Sequence, residues 1–174
     1  MHLVLIGLRG AGKSTAGRAT ADLLSRPFID LDDRTAEVCG MDAATCFSVR
    51  GEAAWREAEA TALHAALLDP SPSIIALGGG TPTAPGAEDL LHAARQDHRL
   101  RIAWLDAPTE VLAERIGHDP SRPPLTDLDP LAEMRAIDAR RRPIFTQLAD
   151  TTIDVATATP AFTIGSLIAL ATRG

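Results

Sequence analysis

Asparagine and tyrosine are absent from the 174 residues, and a single lysine, Lys13, stands against sixteen arginines. Without Asn the chain has no N-glycosylation acceptor and no Asn-Lys-x-Asp base-reading motif. Aromatic residues make up only 3%, so aliphatic side chains and the many alanines must build the core. Cysteine is limited to Cys39 and Cys46, whose spacing fits no metal-ligand motif and which lack a third or fourth partner. They read as small apolar helix residues in a reduced, cytoplasmic chain. The apolar run Leu3–Ile6 is too short for a signal peptide or a membrane span, and no other run comes near the required length. No membrane partner is expected. A net charge of −6 lacks the basic face that nonspecific nucleic-acid binding needs, so no nucleic-acid partner is expected either. A local anion site built from a few arginines stays open. The excess of Arg over Lys reads first as genomic codon bias.

The length suits one domain, residues 1–174, able to bury roughly 70% of the surface its unfolded chain exposes. Five short apolar runs read as strands: His2–Ile6, Pro27–Leu31, Ser73–Leu77, Arg101–Leu105 and Thr152–Val155. Segments of helical spacing lie between and after them: Gly12–Ser25, a short one near Thr35–Val38, Ala53–Leu68, Ala87–Arg95, Thr109–Ile116, Leu131–Leu148 and Pro160–Thr172. Gly117–Pro130, rich in Pro, Asp and Gly, reads as a loop. Strands that alternate with helices predict an α/β fold, a five-stranded parallel sheet flanked by helices. Ligands of such sheets bind beyond the carboxyl ends of the strands, which gathers the loops after Ile6, Leu31 and Leu77.

The first of these loops carries the strongest signal. Gly7–Ser14 (GLRGAGKS) fits G-x-x-x-x-G-K-[ST], and it follows an apolar strand and opens a helix as the motif requires. Glycines let backbone N–H groups turn inward, and the helix N-terminus adds the positive end of its dipole beneath the phosphates. Lys13 would reach the β/γ-phosphates and the Ser14 hydroxyl would sit on Mg²⁺. The only lysine of the chain fills the one slot that asks for lysine.

Asp30-Leu31-Asp32 closes the second strand, where period-2 geometry would point both carboxylates to one side. One could hold hydrated Mg²⁺ while the other accepts a hydroxyl proton. Helix capping by Asp32 or Asp33 is the plainer alternative. Gly78-Gly79-Gly80 would let a ligand approach the backbone closely, where a bare turn rarely needs three glycines. No acidic residue ends that strand, which leaves Asp30 as the metal candidate. Among the arginines, Arg56 has Glu52 four residues before it, the spacing of an ordinary surface ion pair. Arg122 in the Pro-rich loop could close over phosphates. One of Arg140, Arg141 and Arg142 could clamp a carboxylate, although such runs are often solvated helix ends. The residues alone thus indicate a P-loop phosphotransferase or ATPase whose acceptor is open.

Several segments together resemble the shikimate kinase family of P-loop small-molecule kinases, related to the nucleoside monophosphate kinases. They are GLRGAGKSTAGR (Gly7–Arg18), FIDLDDR (Phe28–Arg34), CFSVRGEAAWREAE (Cys46–Glu59), ALGGGTPT (Ala76–Thr83), SRPPL (Ser121–Leu125) and RRRPIF (Arg140–Phe145), in family order. The resemblance implies a P-loop NTPase fold of the nucleoside monophosphate kinase type, with an acceptor-binding region at about 32–60 and a lid at about 117–129. It implies transfer of the ATP γ-phosphoryl to the 3-hydroxyl of shikimate, with Mg²⁺, on the route to chorismate and aromatic amino acids. Gly10, Ala11, Gly12, Lys13, Ser14 and Thr15 would hold the nucleotide, with Arg122 from the lid on its phosphates and Arg115 toward the adenine. Lys13, Arg122 and Asp32 would be catalytic, Asp32 binding the acceptor hydroxyls of shikimate and acting as base. Asp30 and Ser14 would lie on the magnesium side. Arg56 and Arg141 would clamp the shikimate carboxylate, Gly78, Gly79 and Gly80 would meet the ring, and Phe47 and Trp55 would wall the pocket.

The chain departs from the family pattern in three places. The lid reads Arg-Pro-Pro-Leu where Arg-Pro-Leu-Leu is usual, Phe145 stands for the usual Tyr, and Val155–Pro160 lacks the basic or amide residue often near the adenine. The rival readings are a gluconate-type sugar-acid kinase and a nucleotide-binding regulatory module without transfer. No large apolar patch stands out, which points to a monomer.

Overall fold

Burial on both faces explains why the three central strands are near-continuous apolar runs rather than alternating ones. In the computed structural model, which describes residues 1–117 and 129–173, β1 (His2–Ile6) is buried at every position. It pairs in parallel with β3 (Ile74–Ala76) on one side and β4 (Leu100–Asp106) on the other, Leu3 lying opposite both Ile74 and Arg101. β2 (Phe28–Asp30) adds to β3, and β5 (Thr151–Asp154) adds to β4, giving the order β2-β3-β1-β4-β5, all parallel. The expected fold class is the observed one.

Helices flank this sheet. α1 (Lys13–Leu24) follows the phosphate loop, and Gly12 before it sits at φ 82°, a left-handed conformation that costs glycine little. α4 (Gly51–Leu68) stops at Asp69-Pro70, as the proline requires. α5 (Ala87–Gln96), α6 (Thr109–Ile116), α7 (Pro130–Leu148) and α8 (Pro160–Ala171) fall close to their expected places. α1 and α8 pack on each other and on β1, while α5 packs against α4 and α7. The core runs through the strands into Leu63, Leu91, Phe145 and Leu167, each with no exposed surface.

The structure corrects the sequence reading in one region. α2 (Leu31–Cys39) begins directly after Asp30 rather than near Thr35, so Asp32 lies in the first turn of a helix and not on the strand. The cause is local: the Asp30 carboxylate accepts the Asp32 backbone N–H at 3.2 Å, so Asp30 is the cap. A further helix, α3 (Ala43–Val49), was not expected; Asp42 caps it by accepting from Thr45 N–H at 2.8 Å. α2, α3 and the start of α4 enclose a small separate cluster of Cys39, Cys46, Trp55 and Ala58, onto which Phe47 packs.

Candidate active site

Two adjacent strand ends, β1 and β3, open onto a cleft of about 630 Å³, with α2, α4 and α7 bringing side chains in from the acceptor side. The phosphate loop lines it with Gly10, Gly12, Lys13, Ser14 and Thr15. Lys13 folds back over the loop, its Nζ donating to the Gly7 carbonyl at 2.9 Å and the Leu8 carbonyl at 3.0 Å. The ammonium is thereby held at the mouth of the nest of backbone amides, where phosphate oxygens would sit. Ala11 is buried behind the loop and contributes backbone only.

Ser14 Oγ donates to Asp30 Oδ2 at 2.7 Å, which sets the two candidate magnesium residues side by side. Among the described residues no group of three His, Cys, Asp or Glu could hold a metal. A hydroxyl and a carboxylate beside a phosphate loop fit an ion that completes its shell with water and phosphate oxygens, which is the habit of Mg²⁺.

On the acceptor side the three glycines have a use beyond ligand approach. A Cβ on Gly78 would collide with the Asp32 carboxylate, one on Gly80 would run into the Arg56 guanidinium, and one on Gly79 would lie 3.3 Å from Arg141 Nη1. The bare backbone therefore makes room for Asp32, Arg56 and Arg141, all three of which line the cleft. Gly79 and Gly80 line the cleft, whereas Gly78 is buried behind Asp32. Phe47 and Trp55 stand edge to face, ring centres 6.0 Å apart and planes at 73°, as one wall.

Arg56 is held on both sides. It pairs with Glu52 at 2.8 Å, the spacing-level expectation, and also with Glu59, whose other oxygen accepts from Thr81 Oγ1 at 2.9 Å. Burial lowers the Arg56 pKa, and the two carboxylates outweigh it, leaving the group above its ordinary value. Arg141 is different. Burial first, then the Arg56 charge, push its pKa down to about 10, and it forms no ion pair among the described residues. It stays protonated near neutrality, so a carboxylate between the two guanidiniums would relieve their repulsion and receive bidentate donors.

Arg115 lines the same cleft, with its Nη2 donating to the Val155 carbonyl at 2.6 Å, which ties α6 to the segment after β5. Arg122 and residues 118–128 of the expected lid lie outside the described residues. Sequence reasoning named no role for Glu59, Thr81 or the Arg9–Glu133 pair (3.7 Å), which joins the phosphate loop to α7 through a buried carboxylate. Glu59 was within sight: at 52, 56 and 59 the two glutamates and the arginine share one helix face.

This arrangement defines a P-loop phosphotransferase with a small, anion-bearing acceptor. The family model described as shikimate kinase matches residues 9–171. The shikimate kinase of Bordetella pertussis is 37% identical over 170 residues, covering 97% of this chain and 77% of that one. In structure, the shikimate kinase of Acinetobacter baumannii in complex with shikimate superposes with a TM-score of 0.86 at 27% identity, over 97% of this chain and 91% of that one. A gluconokinase from Sinorhizobium meliloti, at 18% identity and a TM-score of 0.58 over 99% and 91%, shares the fold alone. The chain belongs to the shikimate kinase family.

Proposed function

We propose that this chain transfers the γ-phosphoryl group of ATP to the 3-hydroxyl of shikimate. The observation that carries the reading is the convergence of Asp32, Arg56 and Arg141 around Gly78-Gly79-Gly80, beside a phosphate loop of the same cleft. Arg56 and Arg141 clamp the shikimate carboxylate, which fixes the ring and presents one hydroxyl to Asp32. Asp32 accepts the hydroxyl proton as the oxygen attacks phosphorus, with Lys13 and the Gly10–Thr15 amides balancing charge on the phosphoryl oxygens. Phe47 and Trp55 exclude water from the ring face, and Arg115 lies on the adenine side. Arg122 is assigned to the phosphates by resemblance of its segment. Mg²⁺ would be held by Ser14 and Asp30, where it would neutralise phosphate charge and orient the chain of oxygens.

We place the whole chain in one catalytic domain, working as a cytoplasmic monomer. No helix among the described residues is long and apolar enough to cross a membrane, and both cysteines are free thiols. A coupled ADP-release assay offering shikimate, gluconate and nucleoside monophosphates in parallel tests the reading. Turnover with shikimate is expected; turnover with gluconate alone, or ATP hydrolysis indifferent to any acceptor, would overturn it.

A further inference from the structure

The two cysteines are the only ones in the chain, come from different helices, and are brought together in the acceptor lobe. Cys39 ends α2 and Cys46 lies within α3, with their sulfurs 3.0 Å apart in a hydrogen bond. Neither has a role in the phosphoryl transfer described above. Both belong to the small cluster with Trp55, and Cys46 immediately precedes the pocket-wall residue Phe47. α2 and α3 touch each other little and are joined mainly through α4. A covalent bond between the two sulfurs would therefore fix α3, carrying Phe47, relative to α2, carrying Asp32.

We infer that Cys39 and Cys46 form a reversible dithiol–disulfide modification site that adjusts the acceptor pocket. With no third His, Cys, Asp or Glu in a metal-holding group among the described residues, the pair suits sulfur–sulfur chemistry better than a structural zinc site. The oxidant class is a low-molecular-weight disulfide, RSSR. Cys39 is 8% exposed and Cys46 fully buried, so exchange starts at Cys39. The hydrogen bond to Cys39, with burial second, also holds the Cys46 thiol above its ordinary pKa. Cys39 loses its proton to solvent, its sulfur attacks RSSR, a Cys39–SR bond forms and RS⁻ leaves. Cys46 then loses its proton and attacks the Cys39 sulfur, expelling the second RS⁻. Two protein S–H bonds are exchanged for one S–S bond, and two electrons reduce RSSR to two thiols. The sulfurs must close from 3.0 Å to about 2.05 Å, drawing α3 toward α2 and narrowing the space between Phe47 and Asp32. A chain in a reducing compartment would form such a bond only transiently, as a sensor does.

The kinetic part of this inference rests on the proposed shikimate reading; the chemical part does not. The test equilibrates the full chain in glutathione/glutathione-disulfide mixtures of increasing oxidising strength. Intact mass and alkylation after denaturation are read alongside KM for shikimate and for ATP. The expected result is loss of two hydrogens, protection of both cysteines, and a several-fold rise in shikimate KM with ATP KM unchanged, all reversed by dithiothreitol. Cys46→Ala should stop at a glutathione adduct on Cys39; if that variant fails to fold, the wild-type masses and KM values decide. Two free thiols in the most oxidising mixture, a persisting adduct in the wild type, or a disulfide without a shikimate KM shift would each overturn it. A reduced enzyme inert toward shikimate would instead contradict the functional reading, and mass and alkylation alone would then judge the pair.

Discussion

The nucleotide half and the acceptor half of the cleft are built on opposite plans. The phosphate loop is one strand, one turn and one helix, closed by contacts between near neighbours such as Lys13 with Gly7 and Leu8. The proposed acceptor site is assembled from α2, α4, the glycine turn and α7, so its parts meet across separations as long as Asp32 to Arg141. A local site tolerates little chemical change but much change elsewhere; a dispersed site depends on the packing that brings its pieces together. Binding at the two halves should therefore fail in different ways.

The largest expected effects are chemical. Asp32→Asn removes the proton acceptor, and kcat should fall by about 10²–10⁴-fold while both KM values move little. Steady-state kinetics at saturating substrates checks this, and near-normal kcat would remove Asp32 from the mechanism. Lys13→Arg, which keeps charge but exchanges a compact ammonium for a planar guanidinium, should cost about 10²–10³-fold in kcat with unchanged thermal unfolding. Gly80→Ala sharpens the contrast from the other side. Its Cβ would meet Arg56, so shikimate KM should rise about tenfold or more, the equivalent of the ~1–3 kcal/mol cost of overpacking, with ATP KM unaffected. An equal rise in both would show that the two halves are not separable. Glu59→Gln keeps the shape but loosens the partner of Arg56 and should give a smaller rise confined to shikimate KM.

The smallest effect lies away from both halves. His2 Nδ1 accepts the Ser73 backbone N–H at 3.2 Å, and Nε2 lies 3.0 Å from the Asp69 carbonyl, which makes the ring neutral with its proton on Nε2. Burial foremost lowers its pKa from 6.5, so the unfolded chain takes up the proton first. Stability from this group is full above pH 6.5 and is lost as pH falls through the depressed folded-state value. Thermal unfolding should show an acid-side decline that His2→Gln reduces, with activity at neutral pH retained.

The same contrast explains what the sequence revealed. Strand runs and the phosphate loop were legible because each is specified by adjacent residues, and the lone lysine marked its slot. α3 was missed because seven residues between turn-forming glycines carry too little periodicity, although the Asp42 cap was there to be read. Asp32 was set on a strand because a two-residue alternation and the first turn of a capped helix look alike over three residues. The glycine triplet was recognised as unusual, but that Gly78, Gly79 and Gly80 clear space for Asp32, Arg141 and Arg56 in turn depends on packing between distant segments. The opening imbalance of basic residues also divides by chemistry. In the proposed reaction Lys13 serves the phosphoryl group, while Arg56 and Arg141 present planar donors to a carboxylate.

The central claim is that two guanidiniums, one of them without an ion-pair partner among the described residues, recognise the acceptor carboxylate. The direct measurement is the Kd of shikimate against that of the analogue whose carboxylate is reduced to a primary alcohol, on the wild type and on Arg141→Ala. Charged hydrogen bonds of about 1.5–3 kcal/mol predict that the wild type prefers shikimate by roughly 10–100-fold and that Arg141→Ala loses most of this preference. An Arg141→Ala protein that discriminates as well as the wild type would contradict the account.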